Sequence, residues 1–265
     1  MTRTFMTRLA VGVLAAGAVA GTVAAVPGVA VAASSAPAAG STVTTTASAT
    51  TATTAPASNP LCTPAGFAAA QQVVEAALAG RVSALDALST AADNPANHLT
   101  AADRQTLQTS ITTVELPGIQ ALQPQAQQAT TCRALRLVAR AMVVNFRVYI
   151  VMTPQTHLTV VADDETYVEG VFVNLEPTIS QAIASAQAQG KDVTAAQNAF
   201  TDLKSQVAGA QSLTAGQAAT VLAQTPSGAP GNWQAFLGAR TNLVNARNDL
   251  HAAYRDAQQI RTDLQ

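Results

Sequence analysis

The clearest pattern in the chain lies at its end. From Asn232 to Gln265, apolar residues fall at Phe236, Ala239, Leu243, Ala246, Leu250, Ala253, Ala257, Ile260 and Leu264, in steps that alternate between three and four. That spacing, about 3.5 residues per step, is the a/d seam of a helix that lies against other helices. Polar residues, among them Asn242, Asn245, Arg247, Asn248 and Asp249, fill the positions between.

The preceding segments carry the same period with clear start and stop signals. Thr63 followed by Pro64 predicts the cap and first turn of a helix that runs to about Ala92, with Phe67, Val74, Leu78, Leu85 and Leu88 inward and Asp93-Asn94-Pro95 ending it. A second helix starts at Thr100, with Asp103 in its first turn, and carries Leu107, Ile111 and Leu116 until Pro117 interrupts. Thr130 to Met152 reads as helix, with Leu135, Ala139, Met142, Phe146 and Tyr149 in a row, although Val143, Val144, Val148, Ile150 and Val151 also suit a strand.

Beyond Pro154 a helix continues to Gln189 with Val168, Phe172, Leu175, Ile179, Ala182 and Ala186 as its seam, Pro177 as a site for a kink and Gly190 at the C′ position. Asp192 or Thr194 caps the next helix, whose seam is Val193, Ala196, Phe200, Leu203, Val207, Ala210 and Val221. Reversals near Gly190 and between Thr225 and Asn232 put Ile179 opposite Phe200, Val193 opposite Leu264 and Val207 opposite Leu250. The expected fold is all-α: an elongated antiparallel bundle, with a coiled-coil-like C-terminal part of three helices about 33 residues or 50 Å long, and an N-terminal helical hairpin.

Composition narrows this further. Hydrophobic residues make up 48% of the chain but aromatics only 4% and charged residues 11%. So much alanine favours helices whose backbones approach closely and cannot fill a wide sheet-based core. Residues 1–32 have Arg3 and Arg8 ahead of an apolar run from Leu9 to Val26 and then Ala30-Val31-Ala32, the form of a secretory signal peptide, with a single membrane anchor as the alternative. Residues 33–60 hold Ala, Ser, Thr and Pro with no charge and nothing large to bury, so they read as a disordered spacer, or a sugar-decorated stalk. The helical domain is then 61–265. Removing Arg3 and Arg8 from the 14 basic residues leaves 12 against 15 acidic ones, a net of −3 that argues against a nucleic-acid partner.

His98-Leu99-Thr100 with Asp103-Arg104, Arg147-Val148-Tyr149, Pro154, Leu158, Ala162-Asp163, Gly190-Lys191-Asp192-Val193 and Ala246-Arg247-Asn248-Asp249-Leu250 punctuate this domain. In these the chain resembles a group of exported, coiled-coil-like helical proteins of high-GC Gram-positive (actinobacterial) bacteria. The resemblance implies export and a helical fold and brings no activity with it.

Candidate chemistry is sparse. Cys62 and Cys132 are the only cysteines, and in an exported chain they suggest a disulfide that closes a loop of about 70 residues and contributes about 4 kcal/mol. The densest polar group is Asp163, Asp164, Glu165 and Glu169, with His157 upstream. Glu165 and Glu169 share a helix face, so a carboxylate metal site is conceivable. The chain has no H-E-x-x-H, no paired E-x-x-H, no phosphate-binding glycine loop and no Ser/His elbow, so these acids read as a solvated or ion-paired face, and no catalytic residue, metal or cofactor is implied. His98 and His251 read as surface residues, and Trp233 as packing at the last turn or as an exposed contact.

Arg133, Arg136, Arg140 and Arg147 form a stripe beside the apolar row of their helix. A hairpin turning at Thr153-Pro154-Gln155-Thr156 would set Arg147 against Asp163, Arg140 against Glu169 and Arg133 against Glu176. Without that hairpin the stripe is a candidate binding surface. The function expected is a non-catalytic secreted or cell-wall-associated bundle that engages a protein, either an envelope component or itself, with no stable membrane span after signal cleavage. The alternative is an envelope module that touches wall polyanion or lipid through the Arg stripe, and the third reading is a carboxylate metal-dependent enzyme.

Overall fold

A computed structural model describes residues 63–265; the expected signal segment, the spacer and Cys62 lie outside the described residues. The elements are α1 (Pro64–Asp93), α2 (Ala101–Thr109), a π turn (Ser110–Glu115), α3 (Leu116–Gln127), α4 (Cys132–Val144), a second π turn (Val148–Met152), α5 (Thr153–Ala188), α6 (Thr194–Thr214), the short α7 (Gln217–Leu222), a 3-10 turn (Pro226–Gly228) and α8 (Asn232–Asp263). The described residues form an all-α fold with no strand.

The local signals act as their chemistry requires. Thr63 Oγ1 accepts from Gly66 N at 3.1 Å, with Pro64 in the first turn where its missing N–H is not needed. Thr100 Oγ1 accepts from Asp103 N at 3.1 Å and donates to Asp103 Oδ2 at 2.9 Å. Gly190, at φ +80, closes α5: its N–H donates to Gln187 O and that of Lys191 to Ala186 O, the paired bonds of a Schellman end.

Two prolines predicted to break helices are absorbed by π turns. Leu116 N donates to Ile111 O and Thr153 N to Val148 O, each five residues back and each just before a proline. The extra residue in the turn places Pro117 and Pro154 in the first turn of the next helix, where no intrahelical donor is lost. Pro177 lies inside α5, which runs through it without a break.

Packing divides between two cores that α5 joins. In the first, α1, α3 and α4 bury Leu78, Leu85, Ile119, Leu122, Val138 and Met142, together with Ile111, Val148 and Met152 from the π turns. In the second, α5, α6 and α8 bury Phe172, Ile179, Leu203, Val207, Leu250 and Ile260. Small clusters bridge them, Val160 with Ala92, Leu99 and Leu107, and Leu158 with Val151, Val221 and Phe236. The antiparallel register of α6 and α8 agrees with the seam: Lys191 Nζ donates to Leu264 O at 2.9 Å, and a Cβ on Gly209 would meet Asp249. Phe236 through Ile260 of the terminal seam are buried, and Leu264 is half-buried.

The departures are informative. The second of the three expected long helices stops at Thr214, because Ala215 leaves helical geometry and Gly216 turns to φ +72; Val221 then reaches the junction from the separate α7. Gln155 does not sit in a hairpin turn. It is buried in α5, and its Nε2, with two hydrogens to donate, lies within 3.2, 3.0 and 3.0 Å of Val221 O, Leu222 O and Gln224 O, at and just past the C-terminal end of α7. The chain bends earlier, at Arg147, which adopts φ 38. Consequently α4 packs on α1 and α3 rather than back along α5, and the pairing of its arginines with Asp163, Glu169 and Glu176 does not form. Exposed ion pairs contribute at most about 1 kcal/mol, too little to outweigh the burial of Val138 and Met142 in the first core.

Two measurements check this packing. Leu250→Ala should cost about 2–5 kcal/mol in chemical denaturation as a buried truncation, whereas Asn248→Ala, on the exposed side of the same turn, should cost little. Gln155→Ala should cost about 1–3 kcal/mol by leaving buried carbonyls unpaired, and faster amide exchange should be confined first to 217–224.

Candidate functional site

Polar groups gather along 163–169 of α5, where a solvated or ion-paired face was expected; three of the four acids are buried, and Asp164 and Glu165 stand in ion pairs with His98 and Arg247. Asp163, Glu165 and Glu169 are buried and Asp164 is partly so. Each turns to a different neighbour. Asp163 Oδ2 accepts from Thr100 N at 2.8 Å, at the start of α2. Asp164 Oδ1 accepts from His98 N at 2.7 Å and stands 3.1 Å from its Nδ1. Arg247 Nη2, on α8, approaches Glu165 Oε1 to 3.1 Å, and Thr214 Oγ1, at the end of α6, donates to Glu169 Oε1 at 2.9 Å. One turn and a half of α5 thereby ties the loop before α2, α6 and α8 to a single helix.

His98 is therefore more than a surface residue. Its ring stacks on Tyr167 with centroids 3.6 Å apart and planes within 9°, while its backbone and ring both address Asp164. The sequence signal that could have found this is the pairing of His98 with an acid and an aromatic three residues apart on one helix face. Because the four carboxylates diverge, no group of three or more potential ligands among the described residues is arranged to hold a metal ion.

Burial governs the electrostatics of this turn. It raises the Glu165 carboxyl to about 7, with Arg247 opposing. Burial likewise lifts Asp163 to about 6, against the Thr100 N–H and with the help of Asp103 and Asp164. Glu169 is raised by burial against its bond from Thr214, and Glu115, at the end of the first π turn, is raised by burial to about 7.

The arginine stripe is the second candidate, and the structure leaves it open. Arg133, Arg136 and Arg140 are exposed on α4 and belong to neither of the ion pairs found among the described residues. Arg147 is separated from them: it is half-buried beyond the helix end and donates from Nε to Val144 O at 3.1 Å. Leu137, Val143 and Val144 share the exposed side with the three arginines, opposite the buried Leu135, Val138 and Met142. Cys132 opens α4, and its expected partner Cys62 lies outside the described residues. Gln71 Nε2, early in α1, donates to Ala126 O at 2.8 Å and brings that end of α1 to the close of α3. Trp233 is 66% exposed and forms a row with Leu237 and Val244 on α8.

The raised carboxyls bind protons more tightly in the folded chain than in the unfolded one, so folding is stabilised as pH falls through their folded values and the gain is complete below the unfolded ones. The thermal midpoint should rise when pH is lowered from about 8 to about 5. Glu165→Gln should raise the midpoint at about pH 8 and leave it near the wild-type value at about pH 5, read by circular dichroism.

Compared with known protein families, with characterised proteins and with solved structures, the chain matches none of them.

Proposed function

We propose that this chain is a non-catalytic, exported protein that works by binding at the cell envelope, and that the exposed face of α4 is its contact surface. The observation that carries this reading is the make-up of that face: three arginines and three aliphatic side chains, with no carboxylate. Between Glu115 and Asp163 the chain contains no acidic residue, and both of those flanking acids are buried. A chain whose domain carries a net negative charge thus keeps one helix face basic and unpaired. The signal-like first residues and the helical resemblance support delivery outside the cell.

A second reading, contact with a protein or another copy of this chain, is favoured by the row Trp233, Leu237 and Val244, since exposed tryptophan is a common anchor of interfaces. One measurement separates the two. In the exported chain, Arg133→Ala, Arg136→Ala and Arg140→Ala together should reduce retention on isolated envelopes at least tenfold without changing the helical spectrum, and added salt should have the same sense. If retention survives that triple change but is lost with Trp233→Ala and Leu237→Ala, the α8 row is the contact.

A further inference from the structure

Resting on the α4 reading, we infer that the occupant of this face is the surface of an anionic lipid bilayer, with α4 lying in the headgroup plane. Arg133, Leu137, Arg140 and Val144 follow one another at steps of four, three and four, the row that a helix presents along one side, and Arg136 and Val143 flank it at a further step of seven. No uncharged polar side chain stands among them. Leu137 is 59% and Val143 50% exposed.

A soluble polyanion would satisfy the guanidinium groups and leave these aliphatic groups in water. A bilayer interface offers phosphates to the arginines and acyl carbon to the leucine and valines within one layer, and arginine reaches from an apolar bed to a headgroup through its own methylenes. The surroundings reinforce the sign. Of the helices packed on α4, α3 carries no charged residue. The acids of α1, Glu75, Asp86 and Asp93, form no ion pair with the stripe. Among the described residues no helix is long and apolar enough to cross a membrane, so the contact is peripheral.

The test uses the exported chain, in which Trp233 is the sole tryptophan. In a Trp233→Phe background, Leu137→Trp places a reporter on the α4 face. Its emission should shift to the blue on vesicles of phosphatidylcholine with about one-third phosphatidylglycerol, and remain unshifted on phosphatidylcholine alone and with inorganic polyphosphate. Adding the three Arg→Ala changes should weaken binding to the anionic vesicles about a hundredfold. The exported chain is used so that the Leu9 to Val26 run, which would hold every variant on a vesicle, does not mask the contribution of α4. Binding to polyphosphate as tight as to vesicles, with no shift on either, would overturn the lipid assignment and leave the α4 face as a polyanion site. A blue shift that depends on protein concentration without vesicles would assign the face to a second copy instead. If the triple change alters binding to neither probe, the α4 reading itself fails.

Discussion

Helix α5 must satisfy two cores at once, and the rest of the structure depends on how it does so. Its first half meets the α1 to α3 unit through Val160, and its second half enters the α6 and α8 bundle through Phe172 and Ile179. Between these apolar stretches, at 163–169, four carboxylates are each committed to a separate neighbour: the α2 N-terminus, the His98 loop, Arg247 and Thr214. Apolar contact alone would let these elements slide along α5, because alanine-rich seams offer many nearly equivalent registers. A buried carboxylate left without its donor is costly, so the bonds of Asp163 to Thr100 and of Glu169 to Thr214 each select one register, and the Arg247 contact offsets part of the cost of burying Glu165. The cost of keeping the acids ionised in that setting appears as their raised proton affinity.

The two π turns serve the same end. Both come one residue before a proline and both deliver buried side chains, Ile111 from one and Val148, Val151 and Met152 from the other. A regular helix through Pro117 or Pro154 would lose a hydrogen bond and clash; a full break would expose the backbone beside the first core. An inserted residue removes the clash, keeps the ladder nearly intact and rotates the helix that follows. That rotation, together with the left-handed turn at Arg147, sends α4 and α5 to different neighbours.

One consequence is that the α5 acids and the α4 arginines do not meet, and Glu165 stands against Arg247 of α8 instead. The acids turn inward and hold the two halves of the fold together, while the arginines remain on an outer face with aliphatic neighbours. The α5 acids are bonded within the fold, and α4 presents its arginines and aliphatic side chains on an exposed face.

Much of this was determined by the sequence itself. The helical class, the caps at Thr63 and Thr100, the Gly190 end and the α8 seam follow from period, proline and glycine, which act over a few residues and need no partner to be read. The disposition of the polar residues was decided only by tertiary structure. Asp163 and Glu169 stand at a spacing that also matches Arg147 and Arg140, and a surface ion pair and a buried hydrogen bond look alike in one dimension. The distinction depends on which side of α5 is covered, hence on the loop at His98 and the end of α6, both distant in sequence. Gln155 was illegible for the same reason: a lone glutamine after a proline carries no period, and the carbonyls it caps belong to a helix that exists only because the chain breaks at Gly216.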